Sequence, residues 1–297
     1  MTIRQRFLAL AATILGIGFF GASSAQATPH YTPSAPCIDW NVSSTTWPTA
    51  NAGDTHFFIC DGSYQNHANP SAIAISGVRN AAQNQSAVVR NKLLTNNVDV
   101  FVFKTPADYN SYVGLLAPQA ASNLLGFTTT SMQPLGPHTG YSIAIFEDCT
   151  NPPTGCVTAD YTTASRTVNH EVGHAVDFLM GQPSLMTGTG KFKTQFDLDK
   201  AAFNALSPST INWSGLPGTC TGTNFEKLKC WIKVTEADGS DQFYREFFAH
   251  CYSAAQPSSG YPVVPVNRLY QYFSTGGMAP SSTVRSCTIA NNTAQTP

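Results

Sequence analysis

Two histidines four residues apart enclose a glutamate in the run Asn169-His170-Glu171-Val172-Gly173-His174-Ala175-Val176-Asp177. On a helix, positions four apart share a face. His170 and His174 can therefore present two neutral imidazoles to one metal ion, at about 2.0–2.1 Å each for zinc. Glu171 follows the first imidazole by one position and stands beside such an ion rather than on it, where a carboxylate can take a proton from water. The chemistry this pattern implies is zinc-assisted hydrolysis. A catalytic zinc needs three protein ligands and one open position, so a third donor must come from elsewhere. Asp177 shares the face of the histidines, but its short side chain sits two turns from His170. Glu226, Glu236, Glu246 and His250 lie farther along the chain.

The helix that must carry these residues is legible. Val168, Val172, Val176 and Leu179 recur at helical spacing with Ala175 beside them, so one face can enter a core. Gly181 and Pro183 follow as stop signals, and the expected helix spans residues 161–180. Upstream, residues 71–94 read as one helix, with Ala74, Val78, Ala82, Gln85, Val89 and Leu93 on a stripe. Residues 98–103 (Val-Asp-Val-Phe-Val-Phe) read as a strand. Thr105, Pro106 and Asp108 open a helix that should end near Ala117. Residues 126–130 and 141–146 read as further strands. The second, just ahead of the motif helix, is either an edge strand able to pair with an extended peptide or an ordinary core strand. Downstream, Phe192, Phe196, Leu198, Ala202, Phe203 and Leu206 imply a core-packing helix. Residues 242–255, capped by Ser240 or Asp241, imply another that places Glu246 and His250 one turn apart on one face. Residues 266–273 suit a last helix.

The order of these elements matches the upper lobe of a zincin, and the fold expected is α+β, two-lobed, with the metal motif on a helix. His-Glu-x-Gly-His-Ala-Val-Asp at 170–177 resembles the motif helix of the anthrax lethal factor-like metallopeptidases, a family that includes secreted Pro-Pro endopeptidases. Its third ligand is a glutamate within Glu-Phe-Phe-Ala-Glu, and this chain has Glu246-Phe247-Phe248-Ala249-His250. The resemblance covers those two segments, and residues 98–255 in outline. It implies that Glu246 completes a His-His-Glu set around Zn2+, and that the chain is a zinc-dependent metalloendopeptidase acting on protein or peptide through a zinc-activated water. Asp177 and His250 are then expected to support the ligands, by orienting an imidazole or tying the helix. The family places a tyrosine seven residues before its glutamate to steady the oxyanion; here that position is Gly239, and Tyr244 is the substitute taken, with Tyr161 and Tyr252 as other candidates. Other ligand sets are poorer fits. A metzincin would have glycine at 177 and histidine at 180, where Asp177 and Met180 stand. A deuterolysin-like aspzincin, with Asp177 as ligand, lacks the Gly-Thr-x-x-Asp context after Gly188-Thr189. An inactive zincin-fold binding module with a structural zinc is the alternative from another class, and it would have no use for Glu171.

The beginning of the chain reads as an address. Arg4 and Arg6, an apolar run from Phe7 to Phe20 and the small-x-small triplet Ala25-Gln26-Ala27 form a signal peptide over residues 1–27, cleaved near Ala27. The mature chain is expected outside the cytoplasm, secreted or periplasmic. Residues 28–70, turn-rich and poorly periodic, are expected as an extended wrap or a propeptide. Residues 71–297 form the catalytic domain, with an upper lobe at 71–181 and a lower lobe at 182–297. Eight cysteines, an even number in an exported chain, imply disulfides. Pairing of sequence neighbours gives Cys37–Cys60, Cys149–Cys156, Cys220–Cys230 and Cys251–Cys287. A net charge of -1 with 11% charged residues gives no nucleic-acid footprint. No segment of the mature part is apolar for long enough to span a bilayer, and a monomer is expected.

Overall fold

The computed structural model describes residues 37–39, 56–60, 70–83, 85–113, 120, 124–129, 140–147, 161–180, 190–211, 213, 216–232, 234–256 and 286–294. Five strands form one mixed sheet: β1 (Cys37–Asp39), β2 (Phe57–Cys60), β3 (Asp99–Phe103), β4 (Gly126–Thr129) and β5 (Ser142–Phe146), in the order β1-β2-β3-β5-β4. The pairs β2–β3 and β3–β5 are parallel, while β1–β2 and β4–β5 are antiparallel. Parallel neighbours need crossovers. The helices α1 (Ala72–Gln83) and α2 (Ala87–Thr95) lie between β2 and β3 in the chain, and α3 (Pro106–Val113) between β3 and β5.

Alternation along the strands divides the core in two. Val100 and Val102 of β3, with Ile143 and Ile145 of β5, face a cluster that includes Val168, Val172 and Val176 of α4 (Tyr161–Met180). The intervening Phe101, Phe103, Ala144 and Phe146 face a second cluster with Phe58, Tyr109 and Tyr112. Every residue of β3 and β5 is buried, as expected of strands covered on both faces. Phe58 stacks on Phe101 at 4.7 Å.

Within the segment 28–70, expected as a wrap or a propeptide, residues 37–39 and 57–60 are strands of the sheet, with Phe58 on its aromatic face; most of that segment lies outside the described residues. One expectation needs correction. The helix expected over 71–94 is broken. Gln85 turns inward, its amide donating to Ala81 O at 2.9 Å and Asn169 Oδ1 at 2.7 Å, and Ser86 restarts the helix by accepting from Val89 N. Of the two readings of the strand at 142–146, the ordinary core strand is the one found: β5 is interior, and β4 is the sheet edge on the side of α4.

The remaining α-helices are α5 (Lys191–Asn204), α6 (Asn224–Trp231), α7 (Asp241–Ala255) and α8 (Ser286–Ala294); α7 and α8 pack against α4, and α5 packs against α8 and α6. A capping box between Thr223 and Glu226 starts α6, and Ser240 caps α7 by accepting from Phe243 N at 3.1 Å. Phe192, Phe196, Phe225, Phe243 and Phe247 interlock between α5, α6 and α7. At about 1.5–3 kcal/mol for each buried ring, that cluster fixes where α7 lies. The helix α8 is held from two sides: Cys287 is bonded to Cys251 of α7, and buried Asp199 of α5 accepts from Ser286 N at 2.8 Å. The pairs Cys220–Cys230 and Cys251–Cys287 are as expected, and Cys60 is disulfide-bonded, with Cys37 opposite it in the ladder. The expected Cys149–Cys156 pair, the signal peptide and the helix at 266–273 fall outside the described residues. Among the described residues no helix is long and apolar enough to cross a membrane.

Candidate metal centre

Helix α4 carries His170, Glu171 and His174 along one side while Val168, Val172 and Val176 fill the core. Helix α7 packs against it and comes close at Gly173. A Cβ there would lie 2.8 Å from Ala249 Cα and 3.2 Å from both Ala249 Cβ and Ala249 O. Only glycine lets the two backbones come this near. Glu246 lies three residues before Ala249 on α7, one turn away, and the close approach brings its carboxylate to the histidines.

The result is a convergence of three donors. His170 Nε2 and His174 Nε2 are 3.1 Å apart. Glu246 straddles them, with Oε2 3.3 Å from His170 Nε2 and Oε1 3.3 Å from His174 Nε2. Among the described residues these three form the group of side chains able to hold a metal ion. The separations fit zinc: bonds of 2.0–2.1 Å in a tetrahedral set place neighbouring ligand atoms about 3.3 Å apart. The donor chemistry fits as well, since two imidazoles and one carboxylate bring ligand atoms within 4.8 Å of one another, and these are donor types that zinc accepts.

Electrostatics follow from burial and proximity. Burial opposes ionisation of Glu246, but the hydrogen bonds and charges of His170 and His174 outweigh it and hold its carboxyl well below the usual range. Burial lowers the basicity of His174, and Glu246, Glu171 and Asp177 more than reverse that. Glu171 is 5% exposed; burial raises its pKa against the opposing pull of His174, His170 and a hydrogen bond from Thr128. The raised carboxyl suits a group that must accept a proton and give it back.

Of the expected site residues, His170, His174, Glu246 and Glu171 come together, and His250 joins them. Its ring centroid is 4.5 Å from that of His170, and burial, followed by the charge of His170, drives its pKa well below the ordinary imidazole value. Asp177 does not reach the donors. It is 3% exposed and faces Arg245, with Nε 4.0 Å from Oδ2. Burial pushes its pKa up to about 6, against Arg245 and His174. Glu226 is committed to its capping box. Tyr244 is a correction: its ring packs on Phe196 and Phe243, Lys193 lies over it at 4.4 Å, and its hydroxyl donates to Asp197 at 2.7 Å. The reason is helical phase, since two positions on α7 turn the side chain about 200° away from Glu246.

Two features have no local signature in the sequence. One is Thr128 of β4, whose hydroxyl lies 2.9 Å from Glu171 Oε2 and 3.0 Å from Glu171 O. The other is a buried polar chain behind the site, in which Tyr252 of α7 donates to Gln85 Oε1 and the Gln85 amide donates to Asn169, the residue before His170. In sequence, a tyrosine in a helical stripe and a glutamine in an apparent helix are indistinguishable from ordinary core and surface. No protein-family profile, curated protein or solved structure matches this chain.

Proposed function

We propose that this protein is a zinc-dependent endopeptidase, exported from the cytoplasm, with His170, His174 and Glu246 as metal ligands and Glu171 as general base. The observation that carries the reading is the convergence of Glu246 on the two histidines, with separations of 3.1 and 3.3 Å. Zinc held there would supply a Lewis acid that acidifies water and polarises a carbonyl. Glu171, adjacent to the ligand set and excluded from it, takes a proton from the attacking water and delivers it to the leaving amine. Three donors leave a coordination position for chemistry, whereas a structural site closes with four. The likeness of residues 170–177 and 246–250 to lethal factor-like zincins supports a peptide as substrate. The disulfides support an oxidising, extracytoplasmic location. Asp177, facing Arg245, gives no support to an aspzincin ligand set.

The test is incubation of the purified protein with a mixed peptide library, with zinc and with a chelator. The expected outcome is cleavage that the chelator abolishes. Glu171→Gln should keep the metal and lose hydrolysis. Normal cleavage by that variant would refute the assigned role, and a metal-loaded wild type that cleaves nothing would leave a metal-binding module.

A further inference from the structure

Strand β4 forms the edge of the sheet on the side of α4, paired antiparallel with β5 so that Thr128 stands opposite Ile143. Its side chains alternate. Phe127 points to the aromatic face, edge-on to Tyr109 at 4.9 Å. Gly126 and Thr128 point to α4. A Cβ at Gly126 would lie 2.9 Å from Thr167 Cγ2, so this glycine lets the strand lie tight against α4 one turn before Glu171. Two residues on, at the next position on the same face, the hydroxyl of Thr128 meets both Glu171 Oε2 and Glu171 O.

We propose that Thr128 is a positioning residue for the general base: its hydroxyl anchors Glu171 Oε2 from the edge strand and leaves Oε1 to face the reacting water. The proposal rests on the peptidase reading of this site. Glu171 has three side-chain torsions and emerges from a helix that fixes only its Cα. The hydroxyl carries one hydrogen, and donating it to Oε2 at 2.9 Å holds the carboxylate beside the backbone carbonyl of the same residue, 3.0 Å away. A valine would keep the shape of Thr128 and lose the donor. A serine would keep the donor. The same contact ties Glu171 to the edge strand, so its position is set from β4 as well as from α4.

The experiment compares wild type, Thr128→Val, Thr128→Ser and Glu171→Gln. Steady-state hydrolysis of a peptide found in the library screen is read with zinc loaded. Zinc affinity is read by chelator competition. The side-chain carboxyl resonance of Glu171 is read in the metal-free, 13C-glutamate-labelled protein and assigned by its loss in Glu171→Gln. With general bases contributing about 10²–10⁴-fold, the expected result is a kcat about 10- to 100-fold lower in Thr128→Val, with KM and zinc affinity within about twofold of wild type. The Glu171 resonance should move in that variant, and Thr128→Ser should restore both kcat and the resonance. Wild-type kcat in Thr128→Val, an unmoved resonance, or no rescue by serine overturns the assignment while leaving the peptidase reading intact. If zinc-loaded wild type and Glu171→Gln are equally inert, the peptidase reading itself fails and the assignment falls with it.

Discussion

Replacing Gly173 by alanine puts the packing argument for the metal centre at risk in a measurable way. The new methyl carbon would lie 2.8 Å from Ala249 Cα, while carbon atoms in contact prefer about 3.5–4.0 Å. Helix α7 must therefore recede from α4 by roughly 0.7–1.2 Å, because the obstruction is backbone and cannot rotate away. Glu246, one turn away on the same helix, recedes with it, and metal–ligand distances tolerate only about 0.2 Å. A loss of about 10- to 100-fold in zinc affinity is expected, comparable to the loss of an outer support of a metal ligand. Stability should change much less. Overpacking costs about 1–3 kcal/mol, and the better helix propensity of alanine returns about 1 kcal/mol. The variant should thus remain folded, melting only a few degrees lower, while hydrolysis and chelator competition report a weakened site. Adding Ala249→Gly removes the clash with Cβ but leaves those with Cα and the carbonyl oxygen, so the double variant should recover only in part. Zinc affinity equal to wild type in Gly173→Ala would refute the idea that this close approach sets the position of the third ligand.

Other consequences can be checked together. In the metal-free protein His174 has its pKa raised above its ordinary value of 6.5. Its contribution to stability is present below the unfolded pKa and lost as pH rises through the folded one. Zinc requires the neutral imidazole, so the rise in melting temperature on adding zinc should shrink as pH falls through that range, as differential scanning calorimetry would show. Asp177, whose pKa is raised from 3.8 to about 6 by burial, favours the folded state fully below pH 3.8 and loses that contribution as pH rises through 6. Asp177→Asn should therefore be more stable than wild type by about 1–3 kcal/mol at pH 8, with the gain vanishing near pH 4 in denaturant titrations. Replacing both Cys251 and Cys287 by serine opens a loop with a sequence separation of 36. About 3–4 kcal/mol of stability should be lost, and the C-terminal helix should become the first segment to exchange amide hydrogens.

Sequence alone determined what is local. The spacing of His170, Glu171 and His174 is a property of one helix, and the period of Val168, Val172 and Val176 that buries its other face is equally short-range. The strands at 99–103 and 142–146, the cap at Ser240 and two neighbouring disulfides belong to the same class of signal. Placement of Glu246 beside the histidines was accessible only through resemblance, because residues far apart along the chain carry no mark of their meeting. Tertiary structure decided the rest. It brought α7 against α4 through the missing side chain of Gly173, which no periodicity reveals. It put β4 rather than β5 at the sheet edge, since strand order depends on which crossovers pack, and so brought Thr128 to Glu171. It also broke the helix at Gln85 in order to satisfy Asn169 and Tyr252, because a buried polar group must find a partner wherever packing has left one. Local periodicity sets which residues can act together on one element; only the packing of elements sets which groups from different elements come within bonding distance.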